Sequence, residues 1–293
     1  MRWRKVTLIG VGLLGGSLGL ALRQLRLADQ VWGYVRRRES VDECIRCEVV
    51  DHCTNDLKES VTGSDLVVFC TPISQMAPLG KELAPFLSPG TIVTDVGSVK
   101  HSVVQELTPI IAKGGGIFVG SHPMAGSEKM GVAAARADLF TNSICVVTET
   151  ENQPEATARV RQLWESVGAR TVQMSSQQHD EFVSRTSHLP HLVAAQLAHY
   201  VLAPTHPAEQ SLLCANGFRD TTRIASGSPE MWRDISVANR KQLSIELGIF
   251  INELSQLREA LDQMDTGAIQ KFFDTAKQRR DAWCARMASP SPE

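Results

Sequence analysis

The amino-acid sequence predicts an α/β protein in which a doubly wound, mostly parallel sheet is followed by an all-helical domain. Strand-like and helix-like segments alternate as far as residue 174, a pattern typical of crossover units between parallel strands. A glycine-rich turn follows the first apolar segment. After Ser175 the alternation stops, and apolar residues recur at helical spacing.

The first part of the chain supplies the expected sheet and the helices that cover it. Short apolar runs are typical of strands buried on both faces. The expected strands are Lys5–Gly10, Gln30–Tyr34, Leu66–Cys70, Thr91–Asp95, Gly116–Gly120, Ile144–Thr148 and Arg170–Met174. The expected helices are Leu13–Leu27, Arg38–Cys47, Pro78–Phe86, Ser102–Ala112 and Pro154–Val167.

The second part reads as three long helices, Phe182–Leu202, Met231–Leu261 and Ala268–Met287. The middle helix has a large apolar surface, and the second part of the chain has no predicted sheet to cover it. This favours burial of the helix against a second subunit. Packing within the chain is the alternative. We therefore expect domains at 1–174 and 175–287, a disordered tail at 288–293, and a homodimer formed through the helical domain. The apolar positions of the middle helix are Ile235, Leu243, Leu247, Phe250, Leu254, Leu257 and Leu261.

Composition excludes several classes of partner. The 30 basic and 32 acidic residues give a net charge of -2, which favours neither nucleic acid nor a membrane surface as partner. No signal-peptide core and no apolar run of about 18 residues is present, so we expect a cytoplasmic protein that binds a small molecule. Seven cysteines are too few for a disulfide framework and indicate reduced thiols.

One cluster resembles a metal site: Cys44, Cys47, His52 and Cys53. The two closely spaced cysteines lie within a helical pattern and have no matching pair downstream. We interpret them as small buried thiols on a polar helix and expect no metal.

The glycine-rich turn, residues 10–17, predicts a dinucleotide site and hence a Rossmann-like sheet. Gly10 would make the tight turn, Gly12 would let a pyrophosphate approach the backbone, and Gly15 would allow close packing of helix on strand. The helix that follows would point free N–H groups at the phosphates. A glycine-rich turn without a ligand is the alternative.

The end of the second strand indicates which cofactor is bound. An acidic residue there would hold the ribose hydroxyls of NAD, but Arg36, Arg37 and Arg38 follow Val35 instead. Guanidinium groups suit a 2′-phosphate. We therefore expect NADP, with NAD possible; the alternative is a solvated helix start, and Glu39 could also reach the ribose.

His122 is the most informative side chain of the first part. An imidazole between Ser121 and Pro123, directly after an apolar stretch, is expected on a loop rather than in a core. Such loops, at the carboxyl ends of strands, carry the chemistry of open α/β sheets. Ser98 follows its strand in the same way, so the two side chains are expected to converge on one ligand.

Two polar clusters lie in the helical part. His188 and His191 share one helical face beside a proline, where a core or capping role is equally consistent with the pattern. Arg219 and Arg223 are four residues apart and can clamp a carboxylate from one side. A surface ion-pair set with Asp220 and Asp234 is the alternative for the arginines.

Taken in order, these segments resemble the prephenate/arogenate (cyclohexadienyl) dehydrogenases of tyrosine biosynthesis, from Gly10 to about Arg280. The motifs that carry the resemblance are Gly-x-Gly-Leu-x-Gly-Gly-Ser at 10–17, Cys-Thr-Pro at 70–72, Thr-Asp-Val-Gly-Ser-Val-Lys at 94–100, His-Pro-Met-Ala-Gly at 122–126, Ser-His-Leu-Pro-His at 187–191, Gly-Phe-Arg-Asp-Thr-Thr-Arg at 217–223 and Met-Trp-Arg-Asp at 231–234.

The resemblance implies a role for individual residues. His122 would be the catalytic group that hydrogen-bonds the ring hydroxyl of the substrate, and Ser98 would assist it near the nicotinamide. The residues implied for the substrate site are Arg223, Arg219, His191, Trp232 and Glu128, the last linked to access to the pocket. Together with the glycine-rich turn and the arginines described above, the residues expected to bind the cofactor are Gly10, Gly12, Leu13, Leu14, Gly15, Arg36, Arg37, Thr71, Pro72 and Ser98.

The implied reaction is an oxidative decarboxylation, in which hydride leaves C4 of a cyclohexadienyl ring and the C1 carboxylate departs as carbon dioxide. Activity is expected to rise with pH as His122 loses its proton, between about pH 5 and 8. Prephenate and arogenate remain open as substrates; His191 and Arg219 favour the keto acid, prephenate. Two different functions also remain open: a 3-hydroxyacid dehydrogenase or imine reductase, and a non-catalytic NADP sensor.

Overall fold

The computed structural model describes residues 2–126, 129–150 and 153–288. The chain divides into two compact units, Met1–Gln242 and Leu243–Glu293. The expected boundary between residues 174 and 175 stays a prediction. Glu128 and residues 289–293, which include most of the expected tail, lie outside the described residues.

The first unit contains every described strand. The strands are β1 (Trp3–Ile9), β2 (Ala28–Tyr34), β3 (His52–Thr54), β4 (Leu66–Phe69), β5 (Ile92–Asp95), β6 (Ile117–Phe118), β7 (Ser121–Pro123), β8 (Ile144–Thr148) and β9 (Arg170–Met174). The helices of the described chain are α1 (Leu13–Gln24), α2 (Glu39–Arg46), α3 (Leu57–Val61), α4 (Ile73–Leu83), α5 (His101–Lys113), α6 (Pro154–Ser166), α7 (Ser176–Val183), α8 (Leu189–Val201), α9 (Asn216–Thr222), α10 (Pro229–Ala238), α11 (Arg240–Asp262) and α12 (Thr266–Ala288).

Six strands form a parallel sheet in the order β3-β2-β1-β4-β5-β6, so the expected α/β fold class is confirmed. The strand order reverses between β1 and β4, which is where such sheets bind their ligands. Ile9 is in register with Tyr34 on one side and with Phe69 on the other, and Phe69 with Asp95. Four strands therefore end level, and the residues that follow them share one edge.

Alternation along the strands explains why the sheet is buried on both faces. In β4, Leu66 and Val68 belong to one apolar cluster, whereas Val67 and Phe69 belong to the other. All four side chains are fully buried. A strand with apolar residues at every position fits only between two covered faces, which is why this apolar run predicted a central strand.

The alternation of strands and helices predicts that β8 and β9 belong to the large sheet. This expectation was wrong, because neither strand joins it. They form a second sheet in the order β7-β8-β9, and β7 pairs with β8 in antiparallel orientation. Ser121 explains the departure, because its N–H donates to Asp95 Oδ1 (3.0 Å) and its hydroxyl donates to the Asp95 carbonyl (2.6 Å). These bonds direct the chain out of the large sheet beyond the end of β6.

Two helices begin earlier than predicted. The helix expected at Pro78–Phe86 starts at Ile73, and Pro78 lies inside it. The helix expected at Phe182–Leu202 starts at Ser176, where Ser175 and Gln178 form a capping box. It contains a π-helical turn over residues 184–188, next to Pro190, which has no N–H to continue the α-helical bonding.

The helix expected at Met231–Leu261 is two helices, α10 and α11, interrupted at Asn239. The Asn239 amide donates to the carbonyl oxygen of Asp180 at 2.9 Å and lies 3.1 Å from His188 Nδ1. Asn239 is buried, so these bonds satisfy its amide and hold the chain at the break. β3 and α3 are short additional elements that the apolar pattern did not predict.

The second unit consists of most of α11 and all of α12 that is described. Several large apolar side chains of this unit are exposed in the single chain: Ile245, Ile249, Ile251, Leu254, Leu261, Phe272, Phe273 and Trp283. Within the described ranges, we find no helix with the length and apolar character needed to cross a membrane.

Candidate active site

A cavity of about 570 Å³ opens where the strand order reverses. Six of the residues predicted for the cofactor site line it: Gly10, Gly12, Arg36, Arg37, Thr71 and Pro72. The level ends of β1, β2 and β4 explain this convergence, since each of these residues follows one of those strands. Leu13, Leu14 and Gly15 form the first turn of α1 beside it.

The glycines have the geometry that a dinucleotide requires. Gly10 has a φ of +95°, and a Cβ at Gly15 would lie 2.2 Å from the Gly10 carbonyl oxygen, so both positions exclude a side chain. A Cβ at Gly12 would meet no described atom within 4 Å, so this stretch of backbone is open to a ligand. No described side chain caps α1 at Gly12, which leaves the N–H groups of the first turn for a phosphate.

Two polar features of the cavity also fit a dinucleotide. The Thr71 hydroxyl is buried and has no hydrogen-bond partner among the described residues, a state that a bound ligand would relieve. Arg36 and Arg37 are exposed side chains in the cavity wall, while Arg38 stands at the N-terminus of α2. The residues present therefore fit a nicotinamide dinucleotide.

His122 lies in strand β7 and is only 7% exposed, so its expected position on a loop was wrong. Pairing with Val146 of β8 draws it into the second sheet. Its Nδ1 lies 2.8 Å from His179 Nε2, and His179 Nδ1 lies 2.7 Å from Asp180 Oδ1. The three side chains form a continuous hydrogen-bonded series, which we call the His122 relay.

The far end of the His122 relay is anchored to the start of α5. The Asp180 carboxylate accepts hydrogen bonds from the backbone N–H of Lys100 (2.7 Å) and of His101 (2.9 Å). Our sequence reasoning missed both His179 and Asp180, because they are remote from His122 along the chain. The only local signal was a His-Asp pair immediately after the Ser175–Gln178 capping box.

Ser98 lies on a turn that a buried ion pair holds in place. Asp95 and Lys100 are both fully buried and bonded to each other. Asp95 also accepts a hydrogen bond from the Gly97 N–H at 2.8 Å. Within 95–100, only Ser98 is partly exposed. The turn therefore presents the Ser98 side chain from a rigid support.

The helical part contributes a stacked aromatic pair. The His191 ring stacks on Trp232 with centroids 3.7 Å apart, and His188 meets the same indole edge-on at 6.2 Å. Arg223 lies near enough for its charge to lower the pKa of His191, after the larger effect of burial. The structure thus brings His191, Trp232 and Arg223 close together, and their predicted role in binding substrate stays a prediction.

Two of the other polar residues considered from the sequence bond to residues outside that pair. Arg219 is exposed and donates to Asn216 Oδ1 at 2.9 Å. Asp234 bonds with Arg233 and accepts the Ser74 hydroxyl at 2.5 Å. Glu128, which was predicted to be linked to access to the pocket, lies outside the described residues.

Burial keeps the imidazoles of the site neutral. Desolvation, reinforced by His179, Lys100 and His188, holds the pKa of His122 well below its ordinary 6.5. Burial also lowers the pKa of His179, and lowers that of His188 to about 4. A buried neutral imidazole can accept a proton from a substrate hydroxyl.

Two family models match the chain. The model described as "Prephenate dehydrogenase, nucleotide-binding domain" matches residues 18–173, and that described as "Prephenate dehydrogenase, dimerization domain" matches residues 175–275.

Individual proteins are similar over nearly the whole chain. A prephenate dehydrogenase of Bacillus subtilis is 34% identical over 98% of this chain and 78% of its own length. A cyclohexadienyl dehydrogenase of Zymomonas mobilis is 32% identical over 95% of both chains. The crystal structure of prephenate dehydrogenase from Aquifex aeolicus, in complex with hydroxyphenyl propionate and NAD+, has a TM-score of 0.90 and 30% identity, covering 96% of this chain and 99% of that one.

The glycine geometry yields a first prediction. Gly12→Ala adds a methyl group where no described atom lies within 4 Å, so the chain should fold normally. The methyl should nevertheless obstruct a pyrophosphate, lowering dinucleotide affinity by about tenfold or more, since only a bare backbone permits close approach. Calorimetric titration with NADP and NAD, together with a thermal melt, measures both properties.

Gly248→Ala is the matched control, because its new Cβ also meets open space and Gly248 lies in α11. It should leave dinucleotide affinity unchanged. Undiminished affinity in Gly12→Ala would place the cofactor elsewhere.

Proposed function

The chain belongs to the prephenate dehydrogenase family, and we propose that it oxidises and decarboxylates a cyclohexadienyl acid in tyrosine biosynthesis. Prephenate would give 4-hydroxyphenylpyruvate, and arogenate would give tyrosine. The observation that carries the proposal is the buried, neutral His122, held in a relay that ends beside the Ser98 turn at the cofactor edge of the sheet. A non-catalytic NADP sensor would have no use for such a base.

His122 acts on the hydroxyl group of the ring. When bound, the nicotinamide supplies the acceptor for the hydride that leaves C4. His122 takes the hydroxyl proton as C4 is oxidised, a contribution of about 10²–10⁴-fold to the rate for general-base catalysis. The bond from C1 to the carboxylate carbon then breaks and carbon dioxide leaves. The electron pair of that bond stays in the ring and makes it aromatic, while the phenol oxygen regains a proton. Ser98 orients the hydroxyl or His122.

Arg223, His191 and Trp232 bind the other end of the substrate, and Arg219 adds positive charge nearby. A guanidinium can pair with the carboxylate of the side chain, and the indole offers an apolar face to the ring. We propose prephenate as the preferred substrate, because a keto oxygen can accept hydrogen bonds here, whereas the ammonium of arogenate would meet the charge of Arg223. The Zymomonas relative, a cyclohexadienyl dehydrogenase, keeps arogenate as the second candidate.

The NAD+ bound by the Aquifex protein supports a nicotinamide cofactor, and for this chain we propose NADP. The support is the pair of exposed guanidinium groups, Arg36 and Arg37, in the cavity wall after β2. Arginine forms charge-assisted, often bidentate bonds to phosphate.

We propose that the protein forms a homodimer through its helical domain. The large apolar side chains exposed on α11 and α12 support this assembly, since such surface is normally covered in a soluble protein. The description of the second family model as a dimerization domain supports it as well.

The decisive experiment mixes the purified chain with prephenate, arogenate or a 3-hydroxyacid and with NADP or NAD, and follows reduced nicotinamide by absorbance. Appearance of the reduced cofactor with prephenate and NADP is the expected result. The four values of kcat/KM rank prephenate against arogenate and NADP against NAD. Turnover of a 3-hydroxyacid instead would favour a 3-hydroxyacid dehydrogenase, and cofactor binding without turnover of any of these acids would favour a sensor.

Replacing both cavity arginines should reverse the cofactor preference. Arg36→Ala/Arg37→Ala should weaken NADP binding by roughly 10- to 100-fold, since a hydrogen bond to a charged group contributes about 1.5–3 kcal/mol. NAD affinity should change by less than about threefold, because NAD has no 2′-phosphate. Arg38→Ala is the control, and equal losses for both cofactors would contradict the assignment.

Two variants should separate catalysis from binding. His122→Asn should lower kcat by several orders of magnitude with KM nearly unchanged, since the base acts in the transition state. Arg223→Ala should mainly raise KM, since it removes binding that ground and transition states share. Steady-state kinetics measures both, and near-normal turnover by His122→Asn would remove His122 from the mechanism.

The pH profile follows from the depressed pKa of His122. The neutral imidazole is the active form, so activity is complete above its pKa and falls as pH drops through it. Because that pKa lies well below 6.5, kcat/KM should be level from about pH 6.5 to 8 and decline only in acid. The rise of activity with pH that the sequence predicted between about pH 5 and 8 is therefore expected at lower pH. A midpoint above pH 7 for kcat/KM would contradict this assignment.

A further inference from the structure

We infer that His179 and Asp180 are positioning residues that fix the proton of His122 on Nδ1 and so leave the lone pair of Nε2 to receive a proton from the substrate. The inference rests on the proposed role of His122 as base and adds what selects its tautomer. Neither His179 nor Asp180 needs to touch the substrate.

Asp180 sets the direction of the first hydrogen bond. Its Oδ1 accepts the N–H of Lys100 and its Oδ2 accepts the N–H of His101. An ionised carboxylate can only accept. The 2.7 Å contact from His179 Nδ1 to Asp180 Oδ1 therefore requires the proton to lie on His179 Nδ1.

His179 passes that direction on to His122. Burial lowers the pKa of His179, so the ring is neutral and its Nε2 carries a lone pair. Across the 2.8 Å contact, His122 Nδ1 must then be the donor. A neutral imidazole has one N–H, so Nε2 of His122 is left as an acceptor. The tautomer is thus determined by bonding at a carboxylate two side chains away.

The relay also suits the charged form of His122. Once Nε2 takes a proton, Nδ1–H still donates to His179, so no bond of the relay has to reverse. Burial, His179, Lys100 and His188 disfavour a cation at His122, but the Lys100 ammonium is paired with Asp95. The charge of Asp180 acts in the opposite sense along the relay.

The protonation site can be read without any turnover. In the full-length chain labelled with ¹⁵N-histidine, two-bond and three-bond couplings from the ring protons distinguish a protonated Nδ1 from a protonated Nε2. The resonances of His122 are those lost in His122→Asn. We expect a protonated Nδ1 near neutral pH, and a protonated Nε2 would overturn the inference whatever the activity of the chain.

Asp180→Ala tests the cause. Alanine removes the Oδ1 acceptor that holds the His179 proton on Nδ1, so both hydrogen bonds of the relay can reverse and the His122 proton can move to Nε2. We expect kcat to fall by about 10²–10⁴-fold, as for other bases held in the wrong tautomer, with KM within about threefold. Unchanged kcat with the proton still on Nδ1 would overturn the inference.

Two further variants separate the relay from general effects of the substitution. Asp56→Ala is the matched control: Asp56 caps α3 by accepting the Glu59 N–H, so its replacement removes the same charge and a similar helix cap. It should leave kcat unchanged. His179→Phe keeps the Asp180 cap of α5 and removes the bond to His122, so kcat should still fall at least about tenfold at constant KM. A chain that turns over neither prephenate nor arogenate would refute the proposed function, whereas the tautomer measured in the unmodified chain would still decide this inference.

Discussion

The buried ion pair between Asp95 and Lys100 is the constraint on which the site depends. Both side chains are fully buried, so removing either partner would leave an uncompensated charge at a cost of about 3–5 kcal/mol. Asp95 also binds the N–H groups of Gly97 and Ser121, at the start of the Ser98 turn and of β7. The pair thereby fixes β5, the turn and the strand that carries His122 relative to one another.

A side-chain hydrogen bond joins the wall of the cofactor cavity to the helix that carries the stacked indole. Ser74 lies in the first turn of α4, two residues after Pro72 in the cavity wall, and its hydroxyl donates to Asp234 at 2.5 Å. Asp234 follows Trp232 by two residues on α10. α4, which borders the cavity, is therefore bonded directly to the helix that holds the indole against His191.

Local patterns in the sequence predicted the parts of the structure that local forces determine. The apolar run of β4 and the glycines of residues 10–17 each depend on a few neighbouring residues, and both the parallel sheet and the cavity at its switch point followed from them. The second sheet depends on Ser121 reaching Asp95, 26 residues away. The His122 relay joins residues 57 positions apart. Contacts of that separation leave no periodic signal, so the sequence predicted a histidine on an open loop and missed its support.

The burial of His122 explains why a relay is needed. A base on an open loop would be hydrated, and water would exchange its proton freely between the two nitrogens. Burial removes that water, favours the neutral imidazole and makes the choice of tautomer depend on the protein. The opposing requirement is that the same imidazole must carry a positive charge during the reaction. A carboxylate in direct contact would raise its pKa and leave it protonated at rest, whereas Asp180, acting through His179, allows His122 to remain neutral until the substrate supplies the proton.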